Sequence, residues 1–337
     1  MKKFLFLAIA ATAFASCSQD EVLEVAQKQA ISFGNVFVGK STRAATDNTY
    51  GAKKLIEQFN VYGTVNGINI FNGNVVKKPS SITTETGYNA STVWESTAPA
   101  QYWVKDAKYD FAAVVNSTIV TVNPDEKGMP KTLTYTTDET GSKDLLYATN
   151  PTYTANGETD GIVTFTFNHL LSKVWFTVKS NTTYSETTQS GYYYSVKNIK
   201  VANFETGTYT INGGTWTGST AKDINFGNVE IVANNEDKTN ATQQLLIPNA
   251  ASFIITFDVE LYVNGQKANT KSYESTVSND LVKGNSYNFI IDLKQGKAIE
   301  FSVASVTEWV EDLNNDKNTT NDAITLTFTE VTTTPAN

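Results

Sequence analysis

"SFIITFDVELYVNG", residues 252–265, carries the periodicity that sets the fold class. In an extended chain Phe253, Ile255, Phe257, Val259, Leu261 and Val263 fall on one face, while Thr256, Asp258 and Glu260 share the other. Asn264-Gly265 then supplies two residues that tolerate the positive φ of a tight hairpin turn. "SYNFIIDL", residues 286–293, repeats the alternation with Tyr287, Phe289, Ile291 and Leu293. No segment sustains a long helical period. A strand that is apolar on one face needs a second layer to cover it, so the expected fold is all-β, built of sandwiches of about 100 to 170 residues each.

Length and composition agree with this class. The chain has 337 residues, enough for two domains with cores of their own. Charged residues make up only 18%, aromatics reach 12%, and Tyr (16) and Phe (18) are abundant, which is the usage of strands rather than of surface helices. A formal net charge of −8 argues against a partner held through phosphates, so nucleic acid is not an expected ligand.

Within "GIVTFTFNHLLSKVWFTVKS", residues 161–180, the apolar parity changes: Val163, Phe165 and Phe167 are odd, Val174, Phe176 and Val178 even. One flat strand cannot bury both sets on one face. A bulge, or passage from one sandwich to the next near His169 to Lys173, accounts for the shift, and the domain boundary is placed here, between residues 168 and 169.

The N-terminus has the parts of a secretory signal. Lys2 and Lys3 precede an apolar run from Phe4 to Ala15 that is too short to span a bilayer as a resident helix. Small residues then lead into Cys17, the only cysteine, in the manner of a bacterial lipobox, which makes Cys17 the expected lipidation site and excludes a disulfide within the chain. "SQDE", residues 18–21, is similar to the acidic tag that directs some lipoproteins to the outer face of the outer membrane.

Residue types that carry catalysis are scarce. A Ser/His/Asp triad would have to use His169, the single histidine, which sits in an apolar strand and reads as a packed or interdomain imidazole. One His and one Cys cannot form a zinc site. "DLNNDKNTTNDA", residues 312–323, has the alternate spacing of a calcium loop, but Lys317 stands at the sharp-turn glycine and Ala323 at the bidentate carboxylate, so it reads as a solvated linker. No pair of carboxylates is singled out for glycoside hydrolysis. "GYYYS", Gly191 to Ser195, offers aromatic rings, yet adjacent tyrosines of a strand point to opposite faces. Neither an enzyme nor a cofactor or metal is expected.

The lipobox, the acidic tag, "AISFGNVFVGKSTRA" at residues 30–44, "FTFNHLLSKVWFTV" and the late "GNSYNFIIDL…IEFSVASVTEW" together resemble the fimbrillin family, the FimA- and Mfa-like pilins of type V pili. The resemblance spans essentially the whole chain. It implies two transthyretin-like Greek-key β-sandwich domains in tandem, and export as a lipoprotein to the outer surface. It also implies removal of an N-terminal prosegment by an arginine-specific protease and assembly with other pilin subunits into a fimbria. Carried onto this sequence, the segments are a signal peptide (1–16), a lipidated prosegment (17–43), an N-terminal sandwich (44–168) and a C-terminal sandwich (169–337). Cys17 is the lipid site, Arg43 the residue before the cut and Ala44 the new N-terminus.

Arg43 is the only arginine of the chain, although lysine is common. A surface subunit that must be cut once by an arginine-specific enzyme gains from having no second site. Arg43 follows an alternating run, Ile31, Phe33 and Phe37, in a polar connection suited to proteolysis. If Ile31, Phe33, Val36 and Val38 fill a groove of the N-terminal sandwich, releasing the prosegment costs on the order of 5 to 10 kcal/mol of apolar burial, comparable with a domain's whole stability. The tail "AITLTFTEV", residues 323–331, has the form of a replacement strand, with Ile324, Leu326 and Phe328 on one face and threonines on the other. The polar "NNDKNTTND" before it would let it reach a neighbouring subunit. The expected role is a structural pilin; a tip adhesin or surface glycan-binding lipoprotein of the same fold is the alternative.

Overall fold

The computed structural model describes residues 29–38, 56–81, 92–115, 119–137, 143–155, 161–180, 182–231, 238–239, 243–249, 252–278, 280–293, 300–308, 324–326 and 329–331. Every regular element among them is a β-strand, and the strands form three sheets.

The first sheet contains β1 (Phe33–Val38), β2 (Gln58–Val65), β3 (Ile68–Lys77), β4 (Glu95–Ser96), β5 (Lys108–Val115), β8 (Leu146–Thr154) and β9 (Val163–His169), in the order β1-β9-β8-β5-β2-β3-β4. The second has β10 (Ser172–Ser180), β13 (Lys238–Thr239), β17 (Asn285–Leu293), β18 (Glu300–Glu308) and β19 (Ile324–Leu326), ordered β13-β10-β17-β18-β19, with β14 (Gln244–Leu246) also on β10. The third runs β20-β16-β15-β11-β7-β6 through β6 (Val120–Pro124), β7 (Pro130–Thr136), β11 (Tyr192–Thr210), β15 (Phe253–Val263), β16 (Gln266–Val277) and β20 (Thr329–Glu330), and β12 (Thr215–Ile231) pairs with β11.

The parity change around His169 is a change of sheet. The chain leaves the first sheet at His169 and enters the second at Ser172, so each apolar set faces a different core. The second and third sheets pack face to face: Phe176 and Phe289 from one meet Phe226, Phe257 and Val196 from the other in a single cluster. The Phe176 and Phe226 rings lie edge to face with centroids 4.9 Å apart.

The first sheet buries both of its faces. Phe59, Phe71, Phe111, Phe165 and Phe167 converge on an aromatic core on one side. On the other, Tyr62, Ala112, Val114 and Tyr147 join Leu133, Tyr135, Leu170, Tyr209 and Ile247 in a seam with the rest of the molecule. This is why "FAAVV" in β5 is apolar without alternation and buried throughout. Burial, with Tyr209 second, pushes the Tyr147 phenol well above its ordinary range. The hairpin β6–β7 also enters the seam, and it belongs to the third sheet, with β7 paired to β11 from Thr136↔Thr206 to Thr132↔Thr210.

In β15 the expected alternation holds from Phe253 to Val259 and then fades: Leu261 is half-buried and Val263 is 40% exposed. The far end of the β15–β16 hairpin projects past the opposing sheet, and Gln266 to Ser272 are exposed as well. The turn itself is as expected, with positive φ at Asn264 (51°) and Gly265 (74°).

Candidate functional site

Strand β1 runs parallel to β9, from Phe33↔Val163 to Val38↔Phe167. On its other side this stretch meets the residues that flank β4: Gly34 bridges Val93 before it, and Ala30, ahead of β1, bridges Tyr102 after it. β4 in turn pairs with β3 through Val76↔Ser96. The first sheet therefore closes on itself, and β1 with the residues before it is the stave that completes the ring.

The closing contacts are main-chain hydrogen bonds on both sides. Val163 N–H donates to Ser32 O (2.8 Å), Trp94 N–H to Phe33 O (2.8 Å), Ile31 N–H to Gln101 O (2.7 Å) and Trp103 N–H to Gln29 O (3.1 Å). Such bonds accept any sequence. The side chains are more selective. Phe33 is wholly buried, its ring 5.2 Å from that of Phe71, 6.2 Å from Phe111 and 6.2 Å from Phe165. Trp94 covers Phe59 at 5.2 Å and Trp103 covers Tyr109 at 4.7 Å, so the segment across the seam is anchored by its own two indoles.

A bulge interrupts the β1 ladder between Gly34 and Val36. It moves the register so that positions 33, 36 and 38 stand opposite the buried residues Val163, Phe165 and Phe167. The set Ile31, Phe33, Val36 and Val38 thus matches the register, whereas Phe37, placed by simple alternation, pairs with Thr166. Of the expected processing sites, Cys17, Arg43 and Ala44 lie outside the described residues.

The C-terminal tail rests on its own chain. β19 pairs with β18 through Phe301↔Leu326, Ser302↔Thr325 and Val303↔Ile324, and β20 pairs with β16 through Tyr273↔Glu330 and Glu274↔Thr329. It thus spans the edges of the second and third sheets with short ladders of three and two residue pairs. Val331 N–H donates to Ser272 O (3.0 Å), beside a cleft of about 430 Å³ whose lining includes Lys200, Asp258, Tyr273 and Val331. Ile324 and Leu326 are in β19; Phe328 lies outside the described residues.

His169 ends β9 inside the seam, 4% exposed, with Nδ1 2.5 Å from Oδ2 of Asp144. In the tyrosine run, Tyr193 is buried opposite Tyr262, the rings stacked at 4.7 Å, while Tyr192 and Tyr194 contact each other, as alternation requires. Tyr262 stacks on Tyr193, and the tilted ring of Tyr184 lies 4.8 Å from it.

The profile of the fimbrillin-like family matches residues 42–309. The chain belongs to the fimbrillin-like family. A fimbrial protein from Bacteroides vulgatus is 14% identical, with a TM-score of 0.53 over 83% of this chain and 99% of its own, and so shares the fold. The fimbrial anchor protein Mfa2 from Porphyromonas gingivalis (14% identity, 83% and 98% coverage, TM-score 0.41) and a fimbrial assembly protein from Parabacteroides distasonis (13%, 83% and 99%, 0.40) are also similar to it. Among curated proteins none matches.

Sequence reasoning found β1 and the tail but missed Gly34 within β1, and Trp94, Gln101 and Trp103, which meet this stave from some 60 residues away. The one available signal was the pair of tryptophans, Trp94 and Trp103, in "TVWESTAPAQYWV", residues 92–104.

Proposed function

We propose that this fimbrillin-like chain is a structural, non-catalytic subunit of a surface fimbria, assembled by strand exchange that proteolysis triggers. Cys17 carries the lipid that holds the precursor at the outer membrane. An arginine-specific protease cuts between Arg43 and Ala44. Two transthyretin-like units, about 44–168 and 169–337, form the mature subunit.

The observation that carries this reading is the position of Phe33. It fills the centre of an aromatic core from the strand that closes the ring, ten residues before the only arginine of the chain. Cutting at Arg43 severs that strand from the body it completes. It is then held only by non-covalent contacts and can be replaced by another strand with the same main-chain pattern. Purified precursor incubated with an arginine-specific protease should give one product beginning at Ala44 and then, together with partner subunits, fibres under the electron microscope. A precursor that is cut and forms no fibres with any partner subunit would refute the reading.

The docked tail favours a second reading, a tip adhesin that accepts a strand but donates none. Deleting residues 321–337 separates the two. A donor tail leaves the truncated subunit cleavable but unable to extend a fibre, whereas normal fibre growth from it assigns the accepting role alone.

A further inference from the structure

Gly34 follows Phe33 at the closing seam. A β-carbon placed on it would overlap the carbonyl oxygen of Thr92 and lie 2.8 Å from Ile162 Cγ2. The tip of an isoleucine can turn aside. The Thr92 carbonyl belongs to a backbone that is fixed two residues later by the Trp94 N–H bond to Phe33 O, so it cannot withdraw without loosening the seam. The slot thus sets two adjacent requirements: a deep pocket, walled by Phe71, Phe111 and Phe165, that an aromatic ring fills, and beside it a position with room for no side chain at all. Glycine alone meets the second.

We propose that the slot selects its occupant by an aromatic–glycine pair, and that the strand it accepts comes from a different protein rather than from the C-terminal tail of a second copy of this chain. The inference rests on the strand-exchange reading and names its partner. The tail from Ala323 to Asn337 has no glycine. Its one aromatic, Phe328, is flanked by Thr327 and Thr329, so with Phe328 in the Phe33 pocket a β-branched residue meets the Thr92 carbonyl in either strand direction. Self-polymerisation through the tail is thereby disfavoured, and the fibre is mixed at this joint.

The test uses the full precursor, cut at Arg43, and fluorescent peptides that compete for the slot. The peptide of residues 29–38 should bind, and its Gly34→Ala form should bind roughly tenfold more weakly or worse. The tail peptide of residues 321–333 should be as weak as that variant and should improve by roughly tenfold with Thr329→Gly. Equal binding by the tail peptide and the 29–38 peptide, or no loss with Gly34→Ala, overturns the proposal. If no peptide enters the cut protein, strand exchange itself fails, and selectivity is then read in the intact chain. There Gly34→Ala should lower Tm by several degrees, and an unchanged Tm rejects the selection rule.

Discussion

The imidazole of His169 and the carboxylate of Asp144 meet at 2.5 Å where the chain passes from the first sheet to the second. Asp144 sits just before β8 and His169 ends β9, so the pair ties the start of one strand to the end of its neighbour at the seam. Removing one partner leaves the other buried without it. His169→Ala should cost about 2 to 3 kcal/mol, read as a lower urea midpoint, and Asp144→Ala a similar amount. The double mutant should cost clearly less than the sum, and full additivity would mean that the contact carries no coupling.

Phe33→Ala empties the centre of the N-terminal core and should destabilise the precursor by about 3 to 5 kcal/mol. Phe33→Leu keeps most of the volume and should cost less than half of that. Chemical denaturation of the two variants decides. Equal effects would indicate that filling the pocket does not depend on ring shape.

The hydroxyl of Tyr262 donates to Glu260 at 2.9 Å, and Lys267 Nζ donates to the same carboxylate at 3.2 Å. The tyrosine bond is the first cause that holds the Glu260 carboxyl below its ordinary range; partial burial opposes it, and Lys267 adds to the lowering. A folded pKa below the unfolded one contributes stability that is present above the unfolded value and is lost as pH falls through the folded one. Tyr262→Phe should move the Glu260 titration upward in a carbon-detected NMR series. An unmoved midpoint would assign the lowering to Lys267 and Lys197.

If Cys17 carries the lipid, as proposed, Cys17→Ala should abolish partition of the precursor into detergent and its recovery with membranes. Equal membrane recovery of the variant would reject Cys17 as the lipid site.

The alternation of β15 and β17 was legible because each strand is apolar on one face only, and the parity change at His169 located the passage between sheets. The hairpin of residues 120–136 was not assigned to the third sheet, since its threonine-rich strands carry no mark of which neighbour they join; the pairing with β11 is made by main chain. Periodicity placed β1 as a strand, yet not as the closing stave, because its partners Val93 and Val163 are distant in sequence. The burial of Val263 failed for a geometric reason: a strand can outlast the layer that covers it.

The slot that holds β1 and the residues before it has a ladder on the β9 side, main-chain hydrogen bonds on the other and a ring in the middle. A strand lodged there and drawn along its own length has no free end to peel; its bonds on both sides bear the pull in parallel and must give way together. A joint made by strand exchange here, as proposed, would be loaded in shear, and under shaking or flow its lifetime would be set by the rate of that concerted rupture rather than by equilibrium affinity.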